Sequence, residues 1–552
     1  MKIQRRLCLT ERFLCVVTQP ILKFIVHVPV EFIVHVSFFF ALLISALRAA
    51  ARQVGLKISS QFLAMAILTY ILSCFLGALV ALYFYLRRYH GYLETTGLPV
   101  IPAFLCFGSP PYAFHRIHYH QWFAEKFRQL GRTFARYQGV TPAIITIDPE
   151  FIKEVVVKQF DNFTDVITNE IPLPPEQTTL DASRGDTWKA LRKMMTPTFT
   201  SGKLKGMLEP IEGIAEDTID HLLKKAKTNP EMDMKPILQG FTLDSISRVA
   251  FGMDTCCRRG QDKEFSTNAF KVFDQFIFKD AFQSLVFHLV LLFPGLVKYV
   301  PFWSEYALKI KDMAHDIMVQ REEQNIFAGD FVDRLREYKK VMEPPITSEM
   351  IDAQSMVFLV AGFETTANTL TSMMLYFAMY PDLQEKAYEE IMACLGDDDN
   401  VNHENIKEMD YLEACIKETL RMKPPVTEHT RFCGQDTVVC GVPVKKGTLI
   451  QLPIVASHYD EEFFPEPMTF NPDRFLKENN EKIIPYTWRP FGAGLRVCIG
   501  QRFAMMEIKI MVAKLLQKFQ IVQTEQTNLE VPNPTFFLMS HPNAFVKLEL
   551  RQ

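Results

Sequence analysis

Residues 490–509 read PFGAGLRVCIGQRFAMMEIK and set one cysteine, Cys498, between a glycine-rich loop and an amphipathic helix. A thiol at the start of a helix meets unpaired backbone amides and the positive end of the helix dipole. Both favour the thiolate, lower its pKa and suit it to serve as an anionic ligand. Gly492 and Gly494 remove side-chain bulk where a backbone must approach a flat cofactor, and they permit positive φ angles. Arg496 supplies a cation that can pair with a carboxylate substituent of that cofactor, and Phe491 would shield the sulfur. Upstream, AGFETT at 361–366 lies in a long apolar helical stretch that starts near Ile351 and ends before Pro381. The small Ala361 and Gly362 open one face of it, and Glu364 and Thr365 follow as an acid and a hydroxyl able to relay protons inward.

Such groups need a scaffold. Helical spacing dominates from Lys189 to Tyr388, and short β-branched runs bounded by turn residues follow at Thr437 to Val444 and Gly447 to Leu452. The expected fold class is mainly α with small β-sheets. From about residue 100 onward there is no repeat, low-complexity tract or linker-like gap; the polar stretch 396–405, GDDDNVNHEN, reads as a surface loop. One large catalytic domain over 103–552 is expected. Glu418 and Arg421 in KETLR lie three apart on a helix, share a face and can pair.

Before that domain, Phe62 to Leu86 is an uncharged run of 25 residues followed by Arg87, Arg88 and His90. It exceeds the roughly 20 residues a helix needs to cross hydrocarbon, which predicts a transmembrane anchor at 62–86. The turn-rich TTGLPVIP then closes a linker over 87–102. A second apolar run at 32–47 lies in an N-terminal extension, 1–60, and two topologies stand side by side, a hairpin or a single crossing.

The 552 residues carry 60 basic and 63 acidic side chains, a net charge of −3, with 48% hydrophobic and 22% charged residues. That balance excludes a disordered tail protein and a strongly basic nucleic-acid binder. The eleven cysteines form no CxxC pair, so neither a disulfide framework nor a zinc site is signalled. GAGLRVCIG imitates a dinucleotide fingerprint but lacks the strand-turn-helix unit and the later acidic residue.

Phe491, Gly494, Arg496, Cys498 and Gly500 match the Phe-x-x-Gly-x-Arg-x-Cys-x-Gly signature, and on it the chain resembles the cytochrome P450 family over about residues 100–550. TPTFTSGKLKGM at 196–207 and AGFETTANTL at 361–370 resemble the animal microsomal branch that includes drug- and steroid-oxidising enzymes and thromboxane synthase. The resemblance implies haem b (iron protoporphyrin IX) with the Cys498 thiolate as proximal iron ligand, an electron-donating ligand that favours O–O cleavage. It implies room for dioxygen or substrate beside Ala361, and Glu364 with Thr365 as the distal acid-alcohol pair. Trp188 and Arg192 in WKALR, with Arg431 and Arg496, are implied to seat the haem propionates, anions that need cations in a poorly solvated site. Arg474 in NPDRF is implied to join Glu418 and Arg421 in a buried network that supports the haem-binding side. Pocket-lining candidates by the same resemblance are Ile171 to Thr179, Phe358, Ala361, Val426 to Thr430 and Phe536 to Leu538.

The expected function is a monooxygenase that inserts one oxygen atom from dioxygen into a lipophilic small molecule of the steroid, fatty-acid or xenobiotic class. The nine phenylalanines between Phe265 and Phe302 suit a packed core or a lid that touches the membrane and admits greasy substrates. Lys189, Arg192, Lys193, Lys203, Lys205 and Arg502 form a basic patch that would receive NADPH-cytochrome P450 reductase, with cytochrome b5 as a further partner. The anchor and the family imply the endoplasmic reticulum membrane, with the catalytic domain facing the cytosol. Two other readings stand beside this one. One is a haem-thiolate isomerase or dehydratase acting on a lipid peroxide, which would not need Thr365; the other is a non-catalytic haem-binding protein.

Overall fold

The computed structural model describes residues 60–103, 108–109, 119–166, 179–272, 305–327, 330–339, 347–396, 400–531 and 538–551. Helices dominate and the sheets are small, as the periodicities predict. The centre is the helix Ser348–Met379, 32 residues long and buried on almost every side, so about 48 Å of helix runs through the interior. A helix that is apolar all round must be enclosed by others, and it packs along Lys235–Phe251 and crosses Asp410–Met422 and Gln501–Lys518. Its start is capped by the Thr347 side chain, which accepts from the Met350 amide at 3.2 Å. Its end is set by Pro381, which keeps Tyr380 out of the helical region and then opens the next helix, Pro381–Leu395.

The larger sheet has five strands in the order Val100–Ile101, Thr133–Gln138, Thr141–Thr146, Leu449–Pro453, Glu428–Phe432. The second and third form a hairpin, while Leu449–Pro453 joins in parallel and carries Glu428–Phe432 antiparallel, pairing Arg431 with Ile450. A three-stranded sheet sets the C-terminal strand Phe545–Leu550 between Glu231–Asp233 and Phe519–Val522. Asp233 ties this sheet to the helix that follows it, accepting from the amides of Lys235 at 3.0 Å and Ala544 at 2.7 Å.

The expected anchor 62–86 falls inside one continuous helix, Ser60–Arg87, whose Met65, Leu68, Phe75, Leu76 and Phe84 are exposed. Counted over the residues whose side chains are described, no helix is long and apolar enough to cross a membrane. The stretch 87–102, expected as a linker, is fastened to the domain: the Tyr137 hydroxyl accepts from the amides of Gly91 and Leu93 and donates to Glu94. The extension before Ser60, including the run 32–47, lies outside the described residues, as do 171–178, 273–302 and 536–537.

Candidate active site

A cavity of about 380 Å³ opens where the central helix, the cysteine loop, the edge strand Glu428–Phe432 and the helix Gly185–Met195 meet. Trp188, Arg192, Ala361, Thr365, Arg431, Phe491, Arg496, Cys498 and Gly500 all line it, so residues spread over more than three hundred positions face one space. Phe199, Ile246, Val357 and Phe358 make much of the remaining wall apolar. Of the other pocket candidates, Val426, Glu428, His429 and Thr430 line the cavity, while Thr179 is buried and is not among its lining residues.

The cysteine loop is closed by the Cys498 amide, which donates to the Phe491 carbonyl at 2.8 Å. The thiol is exposed by surface area yet surrounded by protein, because the space it faces is the cavity. The helix itself begins at Gln501, with Gly500 as its cap, so Cys498 sits just ahead of the first turn. Burial pushes the thiol above its ordinary pKa, against the Gly500 amide, the Arg192 charge and the Gln501 amide, which all pull it down. The expected lowering therefore needs a correction: the amides and the cation are in place, and desolvation by the protein alone outweighs them.

Gly494 also differs from expectation. It has φ +70 and does not line the cavity; a Cβ there would lie 2.0 Å from the Val156 carbonyl oxygen. The glycine thus lets the loop pass the π-helical turn Glu154–Lys158. Gly492, at φ +84, approaches His429 instead. Gly362 lines the cavity, but a Cβ there would be 3.0 Å from Ile246 Cγ1, so its smallness also lets two helices come close.

Thr365 faces the cavity and its hydroxyl donates to the Ala361 carbonyl at 2.9 Å. Glu364 does not line the cavity. Its carboxylate accepts from Gln239 Nε2 at 2.8 Å and from Asn368 Nδ2 at 3.3 Å, so acid and alcohol diverge by the turn of the helix that separates consecutive residues.

Three guanidinium groups converge on the cavity. Arg431 donates to the Thr430 carbonyl at 2.7 Å, and Arg496 to the carbonyls of Asp181 at 3.3 Å and Ser183 at 2.6 Å, while the guanidinium of Arg496 lies 4.6 Å over the Trp188 ring. The Nε groups of both arginines are buried without a hydrogen-bond partner among the described residues. Burial, and then the charges of Arg496 and Arg489, hold Arg431 down to about 9; burial holds Arg496 down to about 10. Cations held in this way favour an anion beside them. His429, fully buried nearby, is pushed down to about 3 by burial and by Arg431 and Arg489, and is neutral.

Behind the site, Arg421 clasps Glu418 with two bonds of 2.7 and 2.8 Å, and donates to the carbonyls of His458 at 2.8 Å and Thr469 at 3.3 Å. Arg474 stands 3.5 Å from Glu418 at the outer edge of the pair. In the basic patch, Lys189 is paired with Asp161 at 3.0 Å, whereas Lys193, Lys203, Lys205 and Arg502 are exposed.

Sequence reasoning missed Gln239, Asn368 and Ser540, and it missed Glu507, which is completely buried on the cysteine helix. Burial drives Glu507 well above the usual carboxylate range. The Ser245 and Thr366 hydroxyls pull the other way, but neither carboxyl oxygen reaches full hydrogen-bond geometry with a partner, and burial prevails. No local signal marks these side chains; only the helical spacing of Glu364 and Asn368 was available to suggest a contact.

A family model described as Cytochrome P450 matches residues 98–548. Cytochrome P450 3A41 of Mus musculus is 32% identical over 473 residues, covering 82% of this chain and 90% of that protein. Cytochrome P450 3A11 of Mus musculus is 31% identical over 485 residues, covering 82% and 91%. Cytochrome P450 3A12 of Canis lupus familiaris is 30% identical over 473 residues, again covering 82% and 91%.

Proposed function

The chain belongs to the cytochrome P450 family of haem-thiolate monooxygenases, and from that premise we propose that it inserts one oxygen atom from dioxygen into lipophilic small molecules of the steroid, fatty-acid or xenobiotic class. The observation that carries this reading is the thiol of Cys498 opening into a largely apolar cavity that Ala361 and Thr365 also line. The residues fit haem by their chemistry. One thiol lies just ahead of a helix cap, and two guanidinium groups, one of them over an indole, have buried Nε atoms without a hydrogen-bond partner among the described residues.

In this reading Cys498 would hold the iron, and Arg192, Arg431 and Arg496 with Trp188 would hold the propionates, whose charge would relieve the crowding of cations. The bound haem would supply dioxygen activation, with electron density pushed from the thiolate. The chain's own groups do the rest. The apolar wall of Phe199, Ile246, Val357 and Phe358 excludes water and binds substrate by area. Ala361 leaves space beside the helix, and the Thr365 hydroxyl holds a proton at the cavity face. The placement of Thr365 there supports oxygenation over peroxide rearrangement, which has no use for a proton donor at that point.

The helix Ser60–Arg87 would anchor the protein in the endoplasmic reticulum membrane, with aromatic Tyr83, Phe84, Tyr85 and Tyr89 and the arginine pair Arg87 and Arg88 at its end, the residue types that favour a membrane interface. Exposed Lys193, Lys203, Lys205 and Arg502 would guide an acidic NADPH-cytochrome P450 reductase to the cysteine side, with cytochrome b5 as a second donor. The test is turnover of a lipophilic panel by the full chain with reductase under isotopically labelled dioxygen. One labelled oxygen atom in the product is expected. Product that forms without dioxygen or reductase contradicts the proposal.

A further inference from the structure

Glu364 belongs to a polar circuit that begins and ends on a single helix. From Lys235–Phe251, Lys235 and Gln239 lie four residues apart and so face the same side. Gln239 Nε2 donates to Glu364 Oε2 at 2.8 Å; Asn368, one turn beyond Glu364 on the central helix, donates to Oε1 at 3.3 Å. Asn368 Oδ1 in turn accepts from the Ser540 hydroxyl at 2.7 Å, and Ser540 accepts from Lys235 Nζ at 2.9 Å. Lys235 is fixed by a second bond, to the His541 carbonyl at 2.6 Å. Glu364 and Asn368 are 4% and 3% exposed, whereas Lys235 and Ser540 reach the edge of the core. The circuit therefore runs from a partly solvated ammonium to a buried carboxylate whose neighbour in sequence, Thr365, faces the cavity.

The donor capacities and distances set the direction of the circuit. Lysine can only donate, so the Ser540 proton goes to Asn368 Oδ1 at 2.7 Å or to the His541 carbonyl at 3.4 Å, and the much shorter bond to Asn368 turns the NH₂ group of that amide toward Glu364. Two amide donors then hold the carboxylate on the side away from the cavity.

We propose that Gln239, Asn368, Ser540 and Lys235 are positioning residues for the monooxygenase reaction: they hold Glu364 in a rest position turned from the cavity and join it to the solvent edge, and turnover requires this acid to be so placed. The proposal rests on the oxygenase reading. No partner of Glu364 in the circuit lies in the cavity wall, so these residues act through Glu364 and not on substrate.

The test compares full-length wild type with Ser540→Ala, Ser540→Thr and Gln239→Met, each with reductase and a turned-over substrate. Ser540→Ala is expected to lower kcat about tenfold, the factor carried by one hydrogen bond to a charged group, with KM unchanged within about twofold and a larger solvent deuterium isotope effect. Ser540→Thr, which keeps the hydroxyl, is expected to restore all three. A second readout needs no turnover: the C–O stretching band of carbon monoxide bound to the reduced protein. It should shift or split in Gln239→Met, because a carboxylate that has lost its shorter bond shifts its charge and changes the polarity beside the cavity, and Ser540→Ala should shift it in the same direction. Unchanged kcat, isotope effect and band in Ser540→Ala would overturn the proposal, as would an equal loss in Ser540→Thr. If Gln239→Met fails to fold, Ser540→Ala at the edge of the core decides. If wild type gives the thiolate-type carbon monoxide band yet no product, the oxygenase reading has failed, and the band shifts alone then judge the positioning of Glu364.

Discussion

Replacing Arg421 with methionine removes a guanidinium that is 0% exposed and makes four hydrogen bonds, two of them to a carboxylate that is also 0% exposed. Methionine keeps most of the volume, so the loss is electrostatic: Glu418 keeps the Asn471 amide at 2.9 Å and a more distant Arg474, and two backbone carbonyls lose their donor. Removing one member of a buried pair costs about 3–5 kcal/mol. At roughly 2 cal/mol/K per residue, a domain of some 450 residues has an unfolding entropy near 1 kcal/mol/K, so the midpoint should fall by about 3–5 °C. Arg474→Met, whose guanidinium is 13% exposed and 3.5 Å away, should cost about 1 kcal/mol or less. Glu418→Leu combined with Arg421→Met should cost less than either single change, because no unpaired charge is left buried. The assay is thermal unfolding followed by circular dichroism at one pH and scan rate. A midpoint shift below about 1 °C for Arg421→Met, or a double variant whose loss equals the sum of the singles, refutes the argument that pairing holds this region.

Thr365→Ala removes a hydroxyl whose hydrogen bond is to its own helix, so the fold should survive while product falls on the order of 10²-fold and peroxide release rises; peroxide and product are assayed together, and unchanged product contradicts the role. Gly494→Ala puts a methyl 2.0 Å from the Val156 carbonyl at φ +70. It should cost about 2–4 kcal/mol and lower the yield of haem-loaded protein, which absorbance per mole of purified chain will check. Glu507 has its folded pKa raised, so the folded state holds a proton that the unfolded state releases as pH rises past the ordinary carboxylate value. Its unfavourable contribution is absent at acid pH and grows toward neutrality. Glu507→Gln should therefore raise the unfolding midpoint at neutral pH more than at pH 4, and equal shifts at both would contradict this.

Legibility from sequence followed the range of the interactions involved. Cys498, Phe491 and Arg496 stand within one ten-residue loop and were found by spacing, and Thr365 follows from its place on an apolar helix. The convergence of Arg192, Arg431 and Arg496 was reachable only through the family resemblance, because strand pairing and helix packing bring them together from different elements. Where the structure departs from what the sequence leads one to expect, a distant partner decides the outcome. Gly494 answers to a carbonyl at Val156, and Glu364 to Gln239, 125 residues away. The thiol of Cys498 answers to the desolvation of a whole cavity, which no local motif encodes. The 28-residue helix Ser60–Arg87 was legible because an uncharged run needs no tertiary context to be recognised.

The central claim is that Cys498 ties a haem iron to this cavity. The most direct measurement is the carbon monoxide difference spectrum of the reduced full-length protein beside Cys498→Ala, with circular dichroism to show that both are folded. A strongly red-shifted Soret band in the wild type that disappears in the variant is the predicted result. The same band in both proteins, or none in a folded wild type, would contradict the assignment of Cys498 as the ligand.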